Sequence, residues 1–169
     1  MLRLFLIRHA EAFERDRKRW PDDRRRPLTA EGAVRFRKAA AGLAVLVPQI
    51  EQVRVSPLVR ARQTAALLHE VCDWPEAVEA PELAPGCPPA QALKLIRECG
   101  KGRIALVGHE PHLSELLALC IASPGSALAS ELKKGGAACM AFAREPRPGQ
   151  AQLRWLLTPK MLRALRHAA

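Results

Sequence analysis

Leu2 to Ala12 reads LRLFLIRHAEA. Residues 2 to 7 are almost all large and apolar, the pattern of a strand buried on both faces. The run stops abruptly at Arg8-His9, and a charged segment follows. A core strand that ends this way predicts an open α/β sheet. Its carboxyl edge, where such sheets bind ligands, receives an arginine and a histidine. That pair can bind an oxyanion and offer imidazole as a nucleophile. It can also simply mark where a strand meets solvent.

The rest of the chain repeats the theme. Residues 13 to 27, FERDRKRWPDDRRRP, carry seven Arg or Lys and are punctuated by Pro21 and Pro27. They form either a solvated surface loop or a basic rim that steers anions toward His9. A helix opens at Thr29, a plausible N-cap with Glu31 in the first turn, and Pro48 ends it. Ile50 to Ser56 reads as a second strand. Ser56-Pro57 starts a helix that runs to about Cys72. A Pro-rich, acidic loop covers 73–89, with a small strand near 77–80, and a helix fits 89–99. Gly100 and Gly102 mark a turn before the third core strand, Arg103 to Val107, which runs into Gly108-His109-Glu110-Pro111. Helices are expected from 112 to about 120 and over 127–133, and strands over 137–143 and 153–157. A basic helix follows at 159–168. Strands alternating with helices predict a mostly parallel sheet covered on both faces, a three-layer α/β/α sandwich. The two late strands add an antiparallel edge strand. A chain of 169 residues is most simply one domain, 1–169.

Composition narrows the function classes. The hydrophobic content of 49% supports a real core, and aromatics at 4% leave it to Leu, Ala, Val and Ile. A net charge of +10 favours phosphorylated partners and non-specific attraction to anionic surfaces. No zinc-finger spacing, Gly-rich phosphate loop or aromatic-basic interleaving is present, so no specific nucleic-acid partner is expected. The five cysteines are scattered, odd in number and never in a CxxC pair, which fits reduced thiols in a cytoplasmic protein. The N-terminus lacks the long apolar region of a signal peptide, and no apolar run is long enough to span a membrane.

Three strand ends carry the unusual residues: Arg8-His9, then Ser56 with Arg60 one turn on, then His109. In a parallel sheet all three lie on one edge. Two histidines and two arginines then meet although the histidines are about 100 positions apart. Arginine charge opposes a bound cation, so no metal and no cofactor is expected. An oxyanion, phosphate above all, suits this set. Ser56 is a plausible cap or phosphate-loop residue, whereas His69 and His167 read as structural or surface groups. His112 lies just beyond the GHEP turn.

In chain order, LFLIRHAEA, RPLTAEG, VSPLVRARQTA and LVGHEPHLSEL resemble the signatures of the histidine phosphatase superfamily, with its phosphoglycerate-mutase-like fold. The short length, PELAPG at 81–86 and GHEP at 108–111 most resemble its branch of SixA-type phosphohistidine phosphatases. The resemblance implies that His9 is the nucleophile that becomes phosphorylated. Arg8 and Arg60 would bind the phosphoryl oxygens, and His109 would stabilise the transition state, as imidazolium. Arg62 competes with Arg60 but faces away on the same helix. Larger members use a Glu or Asp as general acid. The candidate here is Glu82, followed by Glu11 and Glu110, although the SixA-type branch lacks a dedicated acid.

The expected activity is therefore metal-independent hydrolysis through phospho-His9, with phosphohistidine in a protein as substrate. The alternatives are a small phosphomonoester, such as a sugar phosphate or nucleotide, and a non-enzymatic module binding phosphate or nucleic acid. Mutase activity would need insertions that a chain this short has little room for. Oligomeric state is not encoded in any visible motif.

Overall fold

The structure, a computed structural model, describes residues 1–123, 126 and 128–166. The elements in order are β1 (Leu2–Arg8), α1 (Ala30–Leu46), β2 (Gln52–Val55), α2 (Val59–Cys72), β3 (Val78–Glu79), α3 (Pro89–Cys99), β4 (Gly102–Gly108), α4 (His112–Ile121), β5 (Ala137–Phe142), β6 (Ala151–Leu157) and α5 (Pro159–Leu165). Short 3-10 turns occupy Asp23–Arg25 and Pro81–Leu83. The strands form a six-stranded sheet in the order β3-β2-β4-β1-β5-β6. Pairing is parallel from β3 through β1 and antiparallel at β1–β5 and β5–β6, so edge strand β6 joins antiparallel.

The side-chain alternation of β1 divides the core. Leu2, Leu4 and Leu6 pack on one face with Ala92, Leu93 and Ile96 of α3 and Leu113, Leu116 and Leu117 of α4. Phe5 and Ile7 pack on the other with Phe36, Ala40 and Leu43 of α1, Ala61, Ala65 and Leu68 of α2, and Leu162 of α5. This is the expected three-layer sandwich. Each fully buried Leu or Ile contributes roughly 1.5–3 kcal/mol relative to exposure. A one-residue slip of β1 would exchange its two faces and carry Arg3, now exposed, to the wrong side. That constraint places Arg8 at the strand end with His9 just beyond it.

Local chemistry sets the helix that faces this end. The Thr29 hydroxyl accepts the Gly32 amide at 2.9 Å, and the Thr29 amide donates to the Glu11 carbonyl at 3.1 Å. A Cβ on Gly32 would lie 2.2 Å from that same carbonyl, so only glycine lets α1 start this close to the segment after β1.

The structure corrects several boundaries. Residues 128–133 are not helical, and Ala127 lies outside the described residues. The Leu132 amide donates to Glu110 Oε1 at 2.7 Å and its carbonyl accepts from Arg8 Nη1 at 2.6 Å. Side chains thus take the place of helical partners there. Helix α2 starts at Val59 rather than Ser56, because the Ser56 amide still pairs with the Val107 carbonyl at 3.0 Å as part of the sheet. The final helix is described to Leu165, and His167 lies outside the described residues. All five cysteines are free; burial pushes the Cys72 and Cys120 thiols up to about 12. No helix among the described residues is long and apolar enough to cross a membrane.

Candidate active site

Strands β2, β4 and β1 are neighbours, and their carboxyl ends open on one cleft of about 760 Å³. The His9 amide donates to the Gly108 carbonyl at 3.0 Å, extending the β1–β4 ladder past the strand end. His9 and His109 consequently sit side by side, their ring centroids 5.0 Å apart. Arg8, His9, Arg60 and His109 all line the cleft, and His9, Arg60 and His109 are buried. The four residues singled out from the three strand ends are therefore brought together. Arg62 is exposed and pairs with Glu79 at 3.0 Å, as its position two residues beyond Arg60 requires.

The hydrogen-bond network assigns the histidine tautomers. His9 Nδ1 lies 2.7 Å from the Ala10 carbonyl, which can only accept, so Nδ1 carries the proton and Nε2 keeps its lone pair. Ala10 is itself held, its amide donating to Thr64 Oγ1 at 3.0 Å while that hydroxyl donates to the Arg60 carbonyl at 2.7 Å. His109 Nε2 lies 2.8 Å from Ser56 Oγ, and Ser56 Oγ accepts the Leu58 amide at 3.4 Å. With the hydroxyl proton donated to Nε2 in that hydrogen bond, the single ring proton of a neutral His109 sits on Nδ1. That Nδ1 is buried without a protein partner, as are Arg8 Nε and Arg60 Nε. Buried donors lacking acceptors are costly unless something accepts from them. Three on the lining residues of one cleft suit an acceptor-only oxyanion.

The two arginines are held from opposite sides. Arg8 donates to the Leu132 carbonyl and lies 3.9 Å from Glu131. Arg60 donates to the Asp23 carbonyl at 2.9 Å and meets its carboxylate at 3.2 Å. Asp23 also accepts from Arg26 at 2.7 Å and lies 3.5 Å from Arg15. The Arg26 hydrogen bond and the surrounding guanidiniums hold the Asp23 carboxyl well below the usual carboxylate range. The basic stretch 13–27 is thus a rim of the cleft: Phe13, Arg15, Asp23, Arg24 and Arg26 all line it. Asp23 and Arg26 carry no local sequence signal. Inside a run of alternating charge, nothing marks which members fold back onto Arg60.

The acidic candidates separate by position. Glu82 is not among the residues lining the cleft, although its neighbours Ala84 and Pro85 are. Glu11 lines an adjoining cleft and pairs with Arg35. Glu110 lines the site but accepts from the Ser114 amide and hydroxyl and from the Leu132 amide, so it organises the wall behind Arg8. Glu14, missed in the sequence, lies on the rim. Among the described residues no group of three or more His, Cys, Asp or Glu could hold a metal ion. His69 is bound to the Trp74 carbonyl at 2.6 Å, a structural contact.

Burial, reinforced by the charges of Arg60, Arg8 and Arg26, pushes His9 down to about 3 and outweighs its hydrogen bond to Ala10. His109 is lowered too, by burial first and then by His9 and Arg60. With the protein groups alone, His109 is therefore neutral rather than the expected imidazolium, because it shares a buried, positively charged corner. A ring held neutral in the fold is protonated in the unfolded chain below pH 6.5. Stability is then complete above that pH and falls progressively as the pH drops toward 3. Between pH 7 and pH 5, His9 is expected to account for a loss of about 2 kcal/mol, with a similar amount from His109. Urea unfolding at the two pH values measures this, and an H9N variant should lose about half as much.

A family model of the Histidine phosphatase superfamily (branch 1) matches residues 4–84. An uncharacterized protein of Picosynechococcus sp. is 32% identical over 143 residues, covering 80% of this chain and 82% of its own length. Among solved structures, the protein histidine phosphatase SixA complexed with tungstate superposes with a TM-score of 0.82 at 24% identity, over 94% of this chain and 98% of its own. A mycobacterial glucosyl-3-phosphoglycerate phosphatase superposes with a TM-score of 0.71 at 16% identity, over 94% of this chain and 100% of its own. The family model takes in Arg8, His9 and Arg60 of the cleft, the fold agrees with it, and the chain belongs to the histidine phosphatase superfamily.

Proposed function

We propose that the protein is a phosphatase acting through a phosphohistidine formed on His9, with phosphohistidine in a protein as its substrate class. The observation that carries the mechanism is the state of His9: buried, neutral, its Nδ1 tied to Ala10 and its Nε2 lone pair free among cationic groups. His9 Nε2 attacks phosphorus as the bond to the leaving group breaks. Arg8, Arg60 and the Nδ1–H of His109 meet the charge on the equatorial oxygens. Water then attacks phospho-His9, releasing orthophosphate and restoring the ring. No metal or cofactor enters this scheme, since the side chains supply the positive charge.

The leaving group decides the substrate class. An alkoxide needs a proton donor, whereas a protonated imidazole departs as a neutral ring. Asp23 is held ionised by its arginines, and Glu110 is occupied by three donors. Neither suits a general acid. The exposed cations on the rim, Arg24 and Lys134, have no carboxylate partner among the described residues and suit an acidic protein surface. The second reading, a small phosphomonoester, is favoured by Glu14, a rim carboxyl in no ion pair among the described residues and so placed to donate to an alkoxide.

A phosphohistidine-bearing carrier protein and an alkyl phosphate, assayed side by side for phosphate release, separate the two. The expected result is a higher kcat/KM for the carrier, with acid-labile label on the enzyme. A higher value for the ester would move the substrate to the second reading. Under the first reading, E14Q and E82Q each change carrier turnover by less than about threefold. A general acid would cost about 100-fold or more.

A further inference from the structure

Across Arg8 from the catalytic cleft lies a second opening of about 440 Å³, between the start of α1, residues 131–135 and the start of α5. Arg8 and Lys134 line both, so the two clefts are contiguous. Its charged lining comprises Arg8, Arg35, Lys133, Lys134 and Arg163 against the carboxylates Glu11 and Glu131, a surplus of three positive charges. Two of these cations are already neutralised: Arg35 by Glu11 and Glu31, and Lys133 by Glu131 at 2.7 Å. Lys134 and Arg163 have no carboxylate partner among the described residues.

Arg163 is the more informative of the two. It is half-buried, and the cleft wall beside it includes the buried ring of Phe36 and Pro159. Low-polarity walls strengthen a charge contact relative to open water. Its helix is also firmly seated. Leu162 is buried against α1, and a Cβ on Gly42 would fall 1.7 Å from the Leu162 carbonyl, so α1 and α5 meet backbone to backbone. A long cation on a rigid element, unpaired and partly desolvated, is costly to retain without an anion. The charge of one phosphoryl group is already met by Arg8, Arg60 and the histidines.

We propose that this adjoining cleft binds a second anionic group of the same substrate, a carboxylate or phosphate, through Arg163 and Lys134. The proposal rests on the phosphatase reading for its first anion and adds a specificity determinant. The second anion can belong to an acidic side chain beside a phosphohistidine or to a small molecule with two charged ends.

Binding of non-hydrolysable phosphonates tests it without requiring turnover. Calorimetry compares methylphosphonate with alkylphosphonates of rising length that end in methyl, carboxylate or phosphonate. A terminal anion is expected to raise affinity about tenfold at the lengths that reach the second cleft. R163A should erase that increment while leaving methylphosphonate affinity within about twofold, and R163K should restore part of it. A parallel arm measures KM for phosphohistidine peptides carrying Glu or Gln at the flanking positions. Selectivity there marks a protein as the source of the anion, and selectivity only among the phosphonates marks a small molecule. An increment absent at every length, or one that survives R163A, overturns the proposal. Failure of the phosphohistidine reading shows separately, as peptides that are not hydrolysed while the phosphonate increment persists.

Discussion

Replacing His9 by alanine is expected to abolish turnover, with a loss of at least about 10,000-fold, together with the acid-labile label. The size follows from what is removed. His109 is held in a different role, its Nε2 tied to Ser56 Oγ at 2.8 Å. The arginines bind phosphate but cannot attack it. The variant should still fold, since a neutral ring kept out of water is replaced by a methyl group, and its stability should depend less on pH than that of the wild type. Added imidazole is expected to restore measurable turnover by occupying the space left by the ring. Residual activity of a few per cent without imidazole would remove His9 from the role of nucleophile and leave the cleft as a phosphate-binding site. Because burial and positive charge keep His9 neutral, kcat/KM should hold well below the ordinary histidine pKa of 6.5.

Arg60→Ala is expected to lower kcat/KM by about 100- to 1,000-fold, the scale seen when one preorganised donor to a developing charge is lost. Arg60 is buried and held on two sides by Asp23, so the protein has already met the cost of ordering it. Lysine at this position retains charge without the planar fork and should recover only part of the loss. Asp23→Asn is the informative companion. It leaves Arg60 charged but weakens its anchor, and a fall of about tenfold is expected, carried mainly by kcat. Asp23 itself should remain ionised in R60A, because Arg26 and Arg15 still surround it. Steady-state kinetics with vanadate inhibition checks both variants: R60A should weaken vanadate binding strongly and D23N only slightly. Equal effects on both quantities in D23N would show that Asp23 acts on binding rather than on positioning.

The parts of this protein legible in its sequence are those governed by local periodicity. The all-apolar run Leu2–Ile7, the strand before Gly108-His109 and the helix 89–99 between Pro88 and Gly100 specify their own secondary structure. Once three such strands alternate with helices, a parallel sheet puts their carboxyl ends on one edge, so Arg8, His9, Arg60 and His109 could be grouped from the chain alone. Residues 128–133 could not be read this way. Their apolar and acidic pattern suits a helix, but Glu110 and Arg8 take the Leu132 backbone groups, and those partners are distant in sequence.

The state and surroundings of the grouped residues belong to the tertiary structure. A histidine's tautomer depends on what lies within hydrogen-bonding distance, so the Ala10 carbonyl settles for His9 what the letters of the sequence leave open. The same holds for the basic stretch 13–27. Its charges are interchangeable on paper, and only folding selects Asp23 to grip Arg60 while leaving Arg24 on the cleft without a carboxylate partner among the described residues. Arg163 reaches the neighbouring cleft because α5 lies across Gly42. Propensity and periodicity act over a few residues, whereas burial and charge pairing depend on contacts between elements far apart in the chain. The chain thus encodes which chemistry gathers at the sheet edge, and the packed fold decides each group's protonation, anchoring and reach.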